Sequence, residues 1–245
     1  MFFYLVSSGS GGRFNVYLSD TNAKLITAYN AIRDNPKGVI EHLQKDEYEY
    51  KAHSYSEQEY HYYRLRDVWN IDMKSSSDIE IASLLITLNK TCHRGLYREN
   101  NGKFNTPWGR DPDATICDRN NIENVSNVLR YSRATIYTSD YKDATENAQR
   151  GDFVYLDPPY DPVSYTSNFT AYTTDGFGRE DQEQLASVFR KLSDRGCFVL
   201  LSNSDTPFIR ELYSGFVIRE VEAQRAINIK VSKRTGKELL ISNYS

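Results

Sequence analysis

Phe153-Val154-Tyr155-Leu156-Asp157-Pro158-Pro159-Tyr160 is an apolar run that stops at an acid, followed by two prolines and a tyrosine. The four apolar residues read as a short strand. That strand ends at Asp157, because successive prolines cannot continue a ladder. In open α/β sheets ligands bind beyond the carboxyl ends of the strands, so Asp157 stands where chemistry is done. The prolines fix the backbone, and their carbonyls are expected to be free to accept hydrogen bonds. Tyr160 adds an aromatic face. Two acceptors beside a stacking platform suit an exocyclic amine on a flat ring. Holding both N–H donors would turn the nitrogen lone pair out of the ring plane toward an electrophile, by positioning and electrostatics rather than by a strong base. The plain structural alternative is a strand ending in a Pro-Pro turn.

Working outward, strands are predicted at 134–138, 152–156, 197–202, 216–220 and 238–242, with a helix over 179–193 between the second and third. Upstream, Asn15 to Ser19 reads as a short buried strand ending in Asp20, followed by a helix from Thr21 to Arg33 in which Leu25, Ile26, Tyr29 and Ile32 share a face. Pro36 marks the end of that helix or the start of the next. Further helices are expected over 38–46, 56–70, 79–91 and 119–131, with Ser75-Ser76-Ser77-Asp78 as linker and N-cap. The alternation predicts an α/β fold with a mostly parallel sheet. Residues 1–35 and 119–245 would form its body and 36–118 an inserted helical domain.

From Cys92 to Asp118 the chain changes character. Gly95, Gly102, Pro107, Gly109 and Pro112 punctuate it, and Arg94, Arg98, Lys103 and Arg110 are interleaved with Tyr97, Phe104 and Trp108. Asn101-Gly102 suits a type I′ hairpin turn. Basic and flat side chains in alternation suit nucleic acid, the cations for phosphates or guanine edges and the flat or apolar groups for base faces and thymine methyls. A solvated surface hairpin is the bland alternative. Lys230, Lys233, Arg234 and Lys237 form a second basic run, equally compatible with a phosphate contact or a solvated loop.

Composition narrows the classes. The 245 residues are 39% hydrophobic, enough for one sizeable core or a core plus an inserted domain. A net charge of −3 supplies no global field for nucleic acid, so any such contact must be local. Cys92, Cys117 and Cys197 show no metal-ligand spacing, so no metal is expected, and their scatter fits a reducing cytoplasm. No apolar run approaches the roughly 20 residues of a membrane span. Nineteen tyrosines read singly as surface and core packing.

Gly151 to Pro162, together with Leu201-Ser202-Asn203-Ser204 and the closing Lys237 to Tyr244, resembles the Dam-type, alpha-class adenine-specific DNA methyltransferases over nearly the whole chain. The resemblance implies a Rossmann-like sheet that uses S-adenosylmethionine. Asp157 and the Pro158 carbonyl would hold the target amine, with Pro159 fixing the turn and Tyr160 stacking on the base. That base must be flipped, because a stacked amine cannot reach a buried methyl donor. It implies duplex DNA as substrate and admits a cognate restriction endonuclease as partner. Asn89 to Arg98 and Gly102 to Arg110 are similar to the family's recognition hairpin. Arg98 would then face a guanine, Leu96 and Pro107 neighbouring bases, and His93 the space left by the flipped base, with Arg94, Lys103 and Arg110 as further DNA contacts. Family members usually carry an aromatic-Asn pair where His93-Arg94 stands. A GATC-like site follows from the resemblance alone.

On the cofactor side, Leu18 to Asn22 resembles the family's ribose-binding segment, with Asp20 as acceptor. Asp140-Tyr141 resembles the segment touching the cofactor's adenine, and Asp157 borders the same ligand. From position alone, Asp20 could equally cap a helix and Asp140 could sit in an ordinary loop. The family's opening strand and its phenylalanine-plus-glycine loop find no counterpart. Ser8-Gly9-Ser10-Gly11-Gly12 runs into a strand, where a cofactor loop should open a helix. The expectation is an incomplete sheet, truncated at its N-terminus, with weak cofactor binding. Two rival functions stay open: a truncated relic that only binds DNA, and an RNA base methyltransferase.

Overall fold

In the computed structural model the opening octapeptide forms the strand its composition predicts, β5 (Phe153–Leu156), and releases the chain at Asp157. The structure describes residues 1–6, 14–71, 73, 75–163, 177–224 and 235–245. These fall into two compact units, Met1–Asp140 and Tyr141–Ser245.

In the second unit β5 pairs in parallel with β6 (Phe198–Ser204), and β8 (Thr235–Ser242) lies antiparallel between β6 and β7 (Val217–Gln224). The expected mostly parallel sheet is therefore mixed. The reason is the short 225–234 connection, because a parallel crossover needs about a dozen residues or more. Alternation along the strands sends Leu156, Val199, Leu201, Leu239 and Ile241 to one face. There they meet Leu185, Ala186, Phe189 and Leu192 of α8 (Arg179–Asp194) and Ile209 of α9 (Pro207–Leu212). On the opposite face Phe153 and Phe198, cross-strand partners, are exposed at 46% and 51%. Among the described residues β5 has no ladder partner on its other edge.

The first unit opens with a short helix, α1 (Phe2–Leu5), and pairs β1 (Tyr17–Asp20) with β4 (Thr135–Thr138) in parallel. The expected burial of β1 needs correction: it is largely exposed, because only Leu18 turns to the small core of Ile26, Leu129 and Ile136. Around them lie α2 (Ala23–Asp34), α3 (Pro36–Ala52), α4 (Tyr55–Asn70), α5 (Asp78–Thr91) and α6 (Arg119–Tyr131). Pro36 does both things its position allows. It occupies the first turn of α3 directly after α2, with Asn35 as the N-cap accepting from Gly38 N at 3.0 Å. α3 runs past the expected end at 46 because its buried stripe continues from Val39, Ile40 and Leu43 to Tyr50. Ser77 closes a capping box with Glu80 at the start of α5. Ala28 and Ala31 of α2 share one core with α3 and with Ala82 of α5. A second core joins Tyr62, Trp69, Leu84 and Leu88 to Cys92, Phe104 and Trp108.

Candidate active site

Leu156 stands opposite Leu201 in the parallel ladder. Continuing that register places Asp157 beside Ser202, on the sheet face that also carries Tyr155. Ser202 Oγ donates to Asp157 Oδ1 at 2.6 Å, and the Tyr155 hydroxyl lies 3.1 Å from the same Oγ. The serine has one proton and spends it on the carboxylate, so Tyr155 is the donor in the second bond. The chain from Tyr155 through Ser202 to Asp157 fixes a carboxylate that stays exposed. Burial raises the Tyr155 phenol, and the Asp157 charge adds to the shift.

Tyr160, half-buried, approaches Glu238 Oε2 with its hydroxyl at 3.4 Å. Burial pushes its phenol up to about 12; hydrogen bonding to Ser202 opposes this, while the charges of Asp157 and Glu238 add to it. At neutral pH the ring is uncharged, as a stacking surface should be. The expectation of two free proline carbonyls needs correction: Gln182 Nε2 donates to Pro159 O at 2.8 Å. Ser202, Tyr155, Gln182 and Glu238 were not singled out as site residues from sequence. Tyr155, Ser202 and Glu238 lie in the stretches that carry the family resemblance, whereas Gln182 left no signal there.

In the first unit, Asp20 pairs with Thr138 at the carboxyl ends of β1 and β4, and Ser139 N donates to Asp20 O at 3.2 Å. Asp20 and Asp140, two of the expected cofactor residues, thus come to the same end of one parallel pair. The helix-cap alternative for Asp20 is not realised. Asn22 caps α2 by accepting from Leu25 N at 3.1 Å, while Asp20 Oδ1 accepts from Asn22 N at 2.7 Å. Tyr141 begins α7 (Tyr141–Ala144) in the second unit and packs edge-on against Phe177.

The segment expected to read DNA is a hairpin, β2 (Glu99–Asn100) against β3 (Lys103–Phe104). Asn101 and Gly102 both have positive φ, 51° and 69°, as a type I′ turn demands. The expected contact residues His93, Arg94, Arg98, Lys103, Pro107 and Arg110 are exposed and Leu96 is half-buried, while Cys92, Phe104, Thr106 and Trp108 are buried among them. Helix α4 anchors the strand with one stripe at helical spacing. Tyr62 donates to Thr106 O at 2.7 Å, Arg66 reaches the same oxygen at 3.4 Å, and Asn70 both accepts from Phe104 N at 2.8 Å and donates to Phe104 O at 2.9 Å. Trp108 Nε1 donates to the Tyr50 hydroxyl, which donates to Asp111 O. Gly109 seats the far arm: a Cβ there would lie 2.7 Å from Cys92 O and 2.9 Å from Thr91 O. Arg98 Nε donates to Asn105 Oδ1 at 2.8 Å across the hairpin. Of the second basic run, Lys237 is paired with Glu220 at 2.8 Å, and Lys230, Lys233 and Arg234 lie outside the described residues.

Residues 12–227 match the family described as D12 class N6 adenine-specific DNA methyltransferase. The chain is 39% identical over 233 residues to the Type II methyltransferase M.MjaIII of Methanocaldococcus jannaschii, covering 94% of this chain and 80% of that protein. It is 38% identical over 239 residues to the Type II methyltransferase M1.LlaDCHI of Lactococcus lactis subsp. cremoris, covering 93% and 78%. To the DNA adenine methylase of Escherichia coli K12 it is 33% identical over 232 residues, covering 93% and 78%. The acid-and-tyrosine turn, the basic hairpin and the family match converge, and the chain belongs to the D12 class of N6 adenine-specific DNA methyltransferases.

Proposed function

We propose that Asp157 and the Pro158 carbonyl take the two N–H donors of a flipped adenine while Tyr160 stacks on its ring, and that the methyl group is delivered from S-adenosylmethionine. The chain is an adenine-specific DNA methyltransferase. The observation that carries the residue assignment is the 2.6 Å bond from Ser202 to Asp157. It leaves the carboxylate an acceptor, oriented before any base arrives, which is where electrostatic catalysis gains most. With Pro159 O already engaged by Gln182, Pro158 is the proline left to serve the amine.

S-adenosylmethionine supplies an electrophilic methyl group when bound. The residues present suit it in kind. Asp20 is exposed, and its carboxylate is set by Asn22 N, ready to accept from ribose hydroxyls. Asp140 stands at the same strand end and Tyr141 follows it. A Rossmann-like sheet of this class would seat one more strand on the edge of β5 that has no ladder partner among the described residues. Residues 36–118 then act as the target-recognition domain. Arg98 faces a guanine edge, Leu96 and Pro107 contact neighbouring bases, and His93 lies near the flipped base's vacated space. Arg94, Lys103 and Arg110 meet the backbone. The Type II names of two relatives support a companion restriction endonuclease. Free cysteines, and no described helix long and apolar enough to cross a membrane, are compatible with the cytoplasm.

The test is methyl transfer from labelled S-adenosylmethionine to matched DNA duplexes and RNA, followed by nucleoside digestion. N6-methyladenine in the DNA digest is the expected product. Label in RNA, or on cytosine, would overturn the assignment.

A further inference from the structure

The core face of β6 runs Val199, Leu201, Asn203, and the buried stripe of α8 begins Gln182, then Leu185, Ala186 and Phe189. At the carboxyl end of the strand, both elements replace an apolar core residue by a carboxamide. Asn203 is wholly buried and Gln182 is 2% exposed. A buried amide is costly unless its donors and acceptor are satisfied, so these two positions are occupied against the grain of the core around them.

Their partners are the backbone of the catalytic turn. Gln182 Nε2 donates to Pro159 O at 2.8 Å, and its Oε1 accepts from Asn203 Nδ2 at 3.1 Å. Asn203 Oδ1 accepts from Asp161 N at 3.0 Å and from Ser204 N at 2.8 Å. The Asp161 side chain is gripped in turn: Thr206 Oγ1 donates to its Oδ2 at 2.7 Å, while the same Oγ1 accepts from Ile209 N and caps α9. Tyr160 sits between the two pinned residues, Pro159 and Asp161. We propose that Gln182 and Asn203, with Asp161 and Thr206, are positioning residues that hold the Pro159–Asp161 backbone and so fix Tyr160 and the adjacent acceptors in their reactive geometry. They touch no substrate. They act through the turn, replacing the ladder partners that two prolines cannot recruit.

This proposal rests on the assignment of the turn to the flipped adenine. The test is single-turnover methylation of a duplex by Gln182→Glu and Gln182→Met, with the Kd for the duplex and the thermal midpoint measured in parallel. Gln182→Glu keeps the acceptor for Asn203 and loses the donor to Pro159; Gln182→Met keeps the length and loses both bonds. The expected result is a fall in the methyl-transfer rate of roughly 10- to 100-fold, the scale of a small misplacement of reacting groups, with duplex affinity within about twofold. A purely structural role predicts the opposite split, a lower midpoint with an unchanged rate per folded molecule, and that result overturns the proposal. If Gln182→Met does not fold, Gln182→Glu decides alone. In a duplex carrying 2-aminopurine at the target position, the variants should flip the base but quench its fluorescence less, since Tyr160 is less well held. A wild-type chain that methylates no adenine in the duplex removes the turn's assignment itself, and the proposal with it; a wild-type chain that methylates, with Gln182→Glu equally fast, overturns the network alone.

Discussion

Between Asp157 and Asp161 two buried amides hold the backbone and two hydroxyls hold the flanking carboxylates; between Cys92 and Arg110 the backbone bonds to one stripe of α4 over buried rings. The Asp157–Asp161 turn takes its supports from Gln182, Asn203 and Ser202, each spending a hydrogen bond on one atom of the turn. The hairpin rests Phe104 and Trp108 in a core with Tyr62 and Trp69 and turns its cations outward. Hydrogen bonds are directional and fix atoms, whereas apolar burial is not and fixes a surface. The turn is fixed atom by atom, whereas the hairpin adds a buried apolar seat to its bonds from α4. The difference predicts where each region is fragile.

The largest effect is expected at the turn's tip. Asp157→Ala removes one of the two acceptors and leaves Ser202 and Tyr155 as a hydrogen-bonded pair that no longer points at the amine. The methylation rate should fall by about 10²–10³-fold or more, the scale of losing one preorganised electrostatic partner, while duplex affinity and thermal midpoint stay near wild type. An Asp157→Ala chain that turns over at the normal rate would break the assignment.

The hairpin should fail instead through its backbone seat. Gly109→Ala drives a methyl group into Cys92 O and Thr91 O, both backbone atoms that cannot swing aside. The bonds Gly109 N to Thr91 O and His93 N to Pro107 O, 2.8 Å each, lie at the same seam. The expected cost is about 1–3 kcal/mol of stability, read by thermal or urea unfolding, with duplex binding weakened more than the chemical step of the bound complex. An unchanged midpoint would show that the seam relaxes without strain.

The two regions also differed in how much could be read beforehand. Asp157 and Tyr160 were legible because strand, acid, prolines and aromatic are consecutive. The turn's supports were not, because Gln182, Asn203 and Thr206 come from three other elements, and an amide in a core stripe looks like a break in periodicity. The hairpin's outward residues were legible from their alternation with aromatics and from Asn101-Gly102. Its anchors on α4 were not, because Tyr62, Arg66 and Asn70 read as an ordinary polar helix face until the hairpin is laid on them. The antiparallel place of β8 was missed for a similar reason: strand order is a tertiary fact, and only the shortness of the 225–234 connection hinted at it.

A smaller, sharper effect is expected at Arg98. Its Nε is tied to Asn105, which orients the guanidinium without burying it. A bidentate arginine–guanine contact carries about 1–3 kcal/mol of discrimination. Arg98→Ala should therefore relax preference at one base position of the target more than it weakens binding to unrelated duplex, as measured by competition among single-base variants. Uniform weakening would reduce Arg98 to a phosphate contact.

The smallest effect tests one of the two left-handed arginines of the hairpin region, Arg94 and Arg110. Arg94 has φ 60° and ψ 20°, a left-handed conformation that costs an ordinary L-residue roughly 1–2 kcal/mol and that asparagine adopts more readily. Its side chain is exposed. A cation held at the mouth of the hairpin in an unfavoured conformation is kept there for its charge or for its backbone, and one substitution separates the two. Arg94→Asn keeps the left-handed turn and removes the charge together with the side chain's interactions, so the thermal midpoint should move by no more than the few degrees that about 1 kcal/mol gives a domain of this size. If Arg94 meets a phosphate, the slope of log affinity against log salt should also fall by about one. A raised midpoint with an unchanged slope would make position 94 a backbone hinge of the hairpin, and the phosphate contacts would then fall to Lys103 and Arg110.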